Sequence, residues 1–291
     1  MVKCLSRVEM ISSSPHALAA FYQAAFGFIG STPTMSFGTH PHIRMRLGKQ
    51  EIALVADNPQ GRPYPADVAG WNPLFQHIAI VVSDMASAYK RLATVPGWIS
   101  ISTAGPQILP PASGGVSAFK FRDPEGHPLE LIAFAPHAIP VQWQSHSGNG
   151  CLGIDHSAVS VANTAATIAF YRRLGLSRSA ATLNIGPEQA TLDDVANAVV
   201  EVTALTPTQS TPHLELLCYR GDFDRNVQQQ RTSDITATRL VFSVESPAEF
   251  DLLIAQNADS LVPDQAKHEG ASRRVLLRDP DGHLICLETE G

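Results

Sequence analysis

The sequence predicts an α+β protein built from four copies of one strand–helix–three-strand module. The clearest observation is a repeated motif: RDPEGHPLELI at 122–132 returns as RDPDGHLICLE at 278–288, more than half the chain later. A second echo places Phe-Tyr before a glycine at 21–27 and again at 170–175. Four segments also repeat the order of a strand, a capped helix and further strands. Self-similarity of this kind indicates an internal duplication.

The first two modules show the pattern in order. Hydrophobic, β-branched runs predict strands at 6–11, 44–47, 51–55, 75–82, 99–102, 116–121 and 128–134. Ser14 followed by proline is typical of a helix start, which predicts a helix at 15–26. Ser83 or Asp84 is expected to cap a second helix at 85–93.

The third and fourth modules repeat this pattern of strands and helices. Their strands are expected at 154–161, 198–203, 213–219, 239–244, 273–278 and 284–288. Asn163 or Thr164 caps a helix that ends at Leu174, and Ser-Pro-Ala-Glu at 246–249 reads as a capping box. Because 137–152 is rich in Pro, Gly and Ser, we expect it to link a first domain at 1–136 to a second at 153–291.

Composition excludes several classes of function. The chain is 44% hydrophobic and 16% charged, as is normal for a packed globular protein. A net charge of −6 argues against binding a nucleic-acid backbone, which requires clustered positive charge. No apolar run is long enough for a membrane span. The four scattered cysteines favour reduced thiols and a cytoplasmic location over a disulfide framework.

Candidate chemistry appears when the four modules are superimposed. Their first strands carry, in order, Arg7, His77, His156 and Arg239. Their last strands carry Ala53, Glu130, Glu215 and Cys286. The two middle modules therefore each hold a His and a Glu at matching places, and the outer modules hold neither. Two imidazoles and two carboxylates are suitable ligands for one divalent ion, with Zn, Ni, Co, Mn and Fe all open.

The chain resembles the vicinal oxygen chelate superfamily of glyoxalases, bleomycin-resistance proteins and extradiol dioxygenases. The resemblance rests on the four βαβββ modules and on DPEGHPLEL at 123–131, DPDGHLICL at 279–287, IDHSAVSV at 154–161 and FYRRLGL at 170–176. It implies that modules pair into two cup-shaped half-barrels, whose first-strand His and last-strand Glu bind metal. We therefore expect modules two and three to form the metal cup, and modules one and four a metal-free cup. A large separation of His77 from His156 would refute this pairing.

The resemblance also implies a reaction. A glyoxalase-type isomerase, epimerase or lyase would use the metal to bind two vicinal oxygens of a small substrate and to stabilise an enediolate. Glu130 or Glu215 would move the proton. An extradiol-type Fe(II) dioxygenase is the first alternative, and a metal-free ligand-binding protein is the second. The chain is expected to be a monomer or a homodimer.

Six further polar residues are candidates for substrate binding, with solvated loop or rim positions as the competing interpretation. They are Gln107, Asn184, Glu188, Gln189, Tyr219 and Arg220.

Overall fold

The four modules fold in chain order, and each begins with a strand and a helix as the sequence predicts. A computed structural model describes residues 1–31, 34–36, 40–56, 61–144, 150–225, 229–263, 267–269 and 272–289. The first module contains β1 (Val2–Ser12), α1 (Pro15–Phe26), β2 (Ile29–Gly30), β3 (Thr34–Ser36), β4 (His40–Leu47) and β5 (Gln50–Ala56). The second contains β6 (Gln76–Val82), α2 (Met85–Leu92), β7 (Ile99–Ser100), β8 (Gln107–Ile108), β9 (Ser117–Arg122) and β10 (Pro128–Ala133).

The second half of the chain repeats this order after a short helix, α3 (Val141–Gln144). The third module contains β11 (Cys151–Ser160), α4 (Thr164–Leu174), β12 (Ser177–Ile185), α5 (Pro187–Asp193), β13 (Val199–Thr206) and β14 (His213–Tyr219). The fourth contains β15 (Arg239–Val244), α6 (Pro247–Gln256), β16 (Lys267–Glu269), β17 (Ser272–Arg278) and β18 (Leu284–Thr289).

Two mixed sheets result, and each takes one module from each half of the chain. One sheet has the order β16-β17-β18-β15-β1-β5-β4-β2 and joins modules one and four, which we call the outer cup. The other has the order β12-β13-β14-β11-β6-β10-β9-β7 and joins modules two and three, which we call the inner cup. The predicted α+β class with four modules paired into two half-barrels is confirmed. The division of the chain into domains at 1–136 and 153–291 stays a prediction. Each of the two sheets contains strands from both of these segments.

The strand registers are equivalent in all four modules. Glu130 lies beside Ala79, two residues after His77, and Glu215 lies beside the residue two after His156. The same two-residue offset relates Arg7 to Ala53 and Arg239 to Cys286. The positions superimposed from sequence therefore occupy the same place in each cup.

Alternation along the strands puts one face toward the helices and the other into the cup. On β6, Ile78 and Ile80 belong to the apolar core that also contains the buried side chains of α1 and α4. His77 lies on the opposite face, because successive strand side chains point to opposite sides. Glu130 likewise alternates with core residues Leu129 and Leu131 on β10. Because side chains alternate along a strand, the candidate ligands point away from the core.

The helix starts follow the prediction in three cases and differ in one. Side chains at 84, 163 and 246 each accept a hydrogen bond from the backbone N–H three residues later. Ser14, by contrast, makes no side-chain cap. The carboxylate of Glu125, in the first repeated turn, instead accepts from the backbone N–H groups of Ser13 and Ser14 at 3.1 and 2.9 Å. Glu249 does not complete the predicted capping box and pairs with the N-terminal amine at 3.1 Å.

The repeated Asp-Pro-X-Gly-His segments form turns that are closed by their own hydrogen bonds. Asp123 accepts hydrogen bonds from the backbone N–H groups of Glu125 and His127 at 2.9 and 3.0 Å. Its second oxygen lies 2.9 Å from Nδ1 of His127. Asp279 accepts equivalent backbone bonds in the second copy. None of the described helices has the length and apolar character needed to cross a bilayer.

Candidate metal centre

The middle of the inner cup brings the four predicted ligands together. Strands β6 and β11 are adjacent and antiparallel, so the rings of His77 and His156 approach to a centroid distance of 5.6 Å. Glu130 Oε2 lies 3.0 Å from His77 Nε2 and 3.6 Å from His156 Nε2. Glu215 Oε2 lies 3.5 Å from the same atom of His156. A large separation of His77 from His156, which would have refuted the pairing of modules two and three, is therefore not observed.

These separations fit donors that share one metal ion. Ligand atoms about 2.1 Å from a first-row ion lie about 3.0–3.4 Å from each other at octahedral to tetrahedral angles. The observed separations of 3.0, 3.5 and 3.6 Å are close to this range. Imidazole nitrogen and carboxylate oxygen are also donors that such ions accept. The residues present therefore fit a divalent metal.

A second layer of contacts orients one of the imidazoles. A bulge in the β6–β11 pairing at 154–156 allows Asp155 and His156 to meet although they are sequence neighbours. Asp155 Oδ2 lies 3.1 Å from His156 Nδ1, and Trp143 Nε1 donates to Asp155 Oδ1 at 3.0 Å. A carboxylate on one ring nitrogen directs the other toward a metal. His77 Nδ1, by contrast, is buried without a hydrogen-bond partner among the described residues.

The two imidazoles differ in electrostatic environment. Burial alone would lower the pKa of His156, but Glu215, Asp155 and Glu130 together raise it well above the usual value. Burial dominates at His77 and lowers the pKa of its imidazole. The two rings therefore favour different protonation states.

The carboxylates of the centre are held in the ionised form. Burial alone would raise the pKa of Glu130, but Lys120, His156 and His77 lower it well below the usual value. The pKa of Glu215 is also lowered, since the nearby imidazoles outweigh the effect of burial. Ionised carboxylates are the form that binds metal.

A third imidazole, His213, lies beside these ligands and was missed in the sequence. His213 Nε2 lies 3.4 Å from Glu215 Oε1, and its Nδ1 lies 3.9 Å from Asp155 Oδ2. His213 precedes Glu215 by two residues on β14, so strand alternation puts both on the cup face. The motif His-Leu-Glu on a predicted strand therefore indicated that the two side chains share a face.

The centre lies in a cavity of about 390 Å³. This volume is within the usual range for a small-molecule site. Its apolar walls include Leu109, Ile132, Leu192, Val200, Val202 and Leu217. The metal-type ligands are thus concentrated in one region of a mostly aliphatic pocket.

A second buried polar cluster on the cavity wall is centred on Asp193. Its carboxylate accepts from Lys120 Nζ at 2.7 Å, from Gln189 Nε2 at 2.6 Å and from the Tyr219 hydroxyl at 2.8 Å. Lys120 lies opposite Glu130 across the β9–β10 ladder. Sequence reasoning predicted neither Lys120 nor Asp193, because it did not predict α5.

The six predicted substrate-binding residues divide into two groups. Asn184, Gln189 and Tyr219 line the cavity. Gln107 instead donates to backbone carbonyl oxygens of its own loop, at 3.1–3.3 Å. Arg220 is exposed and pairs with Glu201, and Glu188 is half-buried in the first turn of α5. Neither Gln107, Glu188 nor Arg220 is part of the cavity wall.

Comparison with known proteins identifies others with the same fold. The sequence model of the Glyoxalase/Bleomycin resistance protein/Dioxygenase superfamily matches residues 153–287. The second half of the chain is therefore similar in sequence to this superfamily. The fold of the chain is shared over 99% of its length with glyoxalase I from Zea mays, covering 92% of that chain at a TM-score of 0.66 and 14% identity. A proposed dioxygenase from Bacillus subtilis gives 99% and 86% coverage, a TM-score of 0.62 and 12% identity. No curated protein matches the sequence significantly.

The outer cup contains an ion network where the inner cup has its metal-type ligands. Arg7 donates to Glu288 Oε1 and Oε2 at 2.9 and 2.6 Å and to Glu9 Oε1 at 2.9 Å. Arg274 also donates to both oxygens of Glu9, and Arg239 Nη1 lies 3.6 Å from it. Among the described residues, both groups of side chains suited to a metal lie in the inner cup.

Proposed function

We propose that the chain is a metal-dependent enzyme of the glyoxalase type, an isomerase, epimerase or lyase acting on a small substrate with vicinal oxygens. The observation that carries the proposal is the convergence of His77, Glu130, His156 and Glu215 in one cavity. A divalent ion held there would supply Lewis-acid stabilisation to two neighbouring substrate oxygens. We further propose that the protein works in the cytoplasm as a monomer or homodimer.

The charges around the centre support a bound cation. Glu130, Glu215 and Asp155 converge there, whereas the carboxylate of Asp193 is neutralised by Lys120. Apart from the more distant charge of Lys120, these three buried or half-buried carboxylates depend on imidazoles for compensation. Uncompensated buried charge is unfavourable. A divalent cation would balance most of this negative charge.

Glu215 is the better candidate for the residue that moves a proton. Glu130 contacts both imidazoles, whereas Glu215 contacts His156 and also His213 at 3.4 Å. The side chain of Glu215 is 21% exposed, compared with 9% for Glu130. A carboxylate at the cavity surface can accept a proton from a substrate carbon and return it to the neighbouring carbon. Glu130 would then remain a ligand.

One observation favours an extradiol-type dioxygenase as the second candidate. Ligand atoms of His77, Glu130 and His156 all lie within 4.8 Å of one another, and this tight group does not include Glu215. Two histidines and one carboxylate form the facial triad of non-haem Fe(II) oxygenases. If Glu215 stays off the metal, the remaining positions suit a catecholate and oxygen.

The experiment is a measurement of metal content. The protein is purified without chelators or a metal-binding tag, beside a His77→Ala/His156→Ala variant. A His16→Ala/His137→Ala variant is the matched control, because both histidines are exposed. We expect about one metal per chain in wild type and control, and loss of that metal in the site variant.

The identity of the metal separates the candidates. Zinc, nickel, cobalt or manganese would support the isomerase–lyase proposal, and iron would favour the dioxygenase. If wild type neither contains metal nor takes it up on dialysis, both enzyme proposals fail and a metal-free binding protein becomes the best account.

A further inference from the structure

The buried cluster around Asp193 lies on the cavity wall but contains none of the proposed metal ligands. Asp193 ends α5 of the third module, and Lys120 comes from β9 of the second. The two side chains form an ion pair at 2.7 Å and are 1% and 5% exposed. The interaction therefore crosses between modules, as the metal centre does.

Lys120 has donors that the protein does not use. An ammonium group carries three N–H donors. Among the described residues, Nζ donates to Asp193 Oδ1, which leaves two N–H donors without an acceptor. The ion pair with Asp193 at 2.7 Å favours the charged form of this ammonium group. A buried charged donor beside a cavity favours an acceptor from a ligand.

Gln189 supplies the complementary group. Its Nε2 donates to Asp193 Oδ2 at 2.6 Å, which fixes the orientation of the amide because a carboxylate cannot donate. Its Oε1 is buried and has no hydrogen-bond partner among the described residues. Gln189 lines the cavity and is 3% exposed. An unpaired buried acceptor is therefore fixed beside an incompletely paired donor.

We propose that Lys120 and Gln189 form a subsite that binds a hydroxyl group of the substrate, separate from the two oxygens that chelate the metal. A hydroxyl oxygen can accept from the ammonium while its hydrogen is donated to the amide oxygen. Asp193 is a positioning residue, because it holds both side chains through its two oxygens. The inference rests on the proposed function and adds to it the substrate class: a vicinal-oxygen compound with a third, hydroxyl oxygen.

Two small probes that differ by one hydroxyl test this subsite. Acetohydroxamate chelates metals through two neighbouring oxygens, and glycolohydroxamate carries one additional hydroxyl. Binding of each to the metal-loaded protein is measured by calorimetry. We expect glycolohydroxamate to bind wild type about tenfold more tightly, as one hydrogen bond to a charged donor allows.

Substitutions test whether Lys120 and Gln189 cause the preference for glycolohydroxamate. Lys120→Met and Gln189→Met should reduce the affinity ratio to about one, while metal content and acetohydroxamate affinity are retained. Lys90→Met and Gln107→Met are matched controls, since Lys90 is exposed on α2 and Gln107 is outside the cavity wall. If Lys120→Met does not fold because Asp193 loses its partner, Gln189→Met, which leaves the ion pair intact, carries the test.

The outcomes distinguish failure of the hydroxyl subsite from failure of the metal site. Equal affinity of the two probes for metal-loaded wild type would overturn the hydroxyl subsite and leave the metal site standing. A preference that survives in the Gln189→Met variant would overturn the assignment to this residue pair. Failure of wild type to bind metal would overturn the proposed function and the subsite with it.

Discussion

Replacing Glu9 with glutamine should destabilise the fold through the outer cup without affecting the metal centre. Glu9 accepts hydrogen bonds from Arg7 and Arg274, and Arg239 lies 3.6 Å from its second oxygen. With Glu288, the network contains three guanidinium groups and two carboxylates. Glu9→Gln would leave three positive charges, on the buried Arg7 and the half-buried Arg239 and Arg274, against one negative charge.

The expected magnitude follows from burial. Glu9 is 4% exposed and Arg7 is 5% exposed. Removing one partner of a buried ion pair costs about 3–5 kcal/mol, because the remaining charge stays buried. At about 2–4 °C per kcal/mol for a chain of this size, the midpoint of thermal unfolding should fall by about 6–20 °C.

The assay is thermal and denaturant unfolding at pH 7, with wild type and variant in the same metal state. Glu51→Gln is the matched control, because Glu51 pairs with Arg44 at 3.9 Å and the two side chains are 37% and 39% exposed. A surface pair of this kind contributes less than about 1 kcal/mol. A loss below about 1 kcal/mol in Glu9→Gln would refute the reasoning, as would equal losses in the two variants.

The same network predicts a pH dependence with a definite sign. Burial alone would raise the pKa of Glu9, but Arg274 and Arg7 lower it well below the usual value of about 4.3. Stability from a lowered pKa is complete above the unfolded-state pKa and is lost as pH falls toward the folded-state pKa. The difference in unfolding free energy between wild type and Glu9→Gln should therefore be constant from pH 6 to 8 and shrink below about pH 4.5.

Three further predictions concern the inner cup and its independence from the outer one. Asp155→Asn, which weakens the support of a proposed ligand, should lower metal affinity about 10–100-fold in a chelator competition. Gly70→Ala should distort the Asp193 cluster, because its Cβ would meet the buried Tyr219 hydroxyl at 2.5 Å, and we expect reduced thermal stability with metal content retained. The stability losses from Glu9→Gln and from metal removal should add within about 0.5 kcal/mol, since they act in different sheets; a larger coupling energy would contradict this independence.

The arrangement of the metal-type ligands could be predicted because it depends on period and register. Matching His and Glu positions recur at equivalent places on strands, and the two-residue offset in the parallel pairs is the same in all four modules. Asp155 could not be predicted, because strand alternation puts it opposite His156 and the bulge at 154–156 reverses that placement.

Lys120 and Asp193 were missed for a tertiary reason. A lysine in a strand such as Ser-Ala-Phe-Lys-Phe-Arg is normally exposed, because burying an unpaired ammonium is unfavourable. Its burial depends on Asp193, which a short helix of another module brings within 2.7 Å. The sequence around Lys120 gives no indication of this ion pair. The same holds for Glu125, whose contact with the start of α1 joins modules one and two.

The two cups compensate the polar side chains at their centres in different ways. In the outer cup, guanidinium groups on β1, β15 and β17 meet carboxylates on β1 and β18, so the charges are paired within the protein. The inner cup has the same strand register but gathers carboxylates and imidazoles, and Lys120 is already paired to Asp193. Since the backbone frames are equivalent, the difference lies in the side chains. In the outer cup both carboxylates have guanidinium partners, whereas the inner cup remains short of positive charge in the cavity where we propose that a cation and a substrate bind.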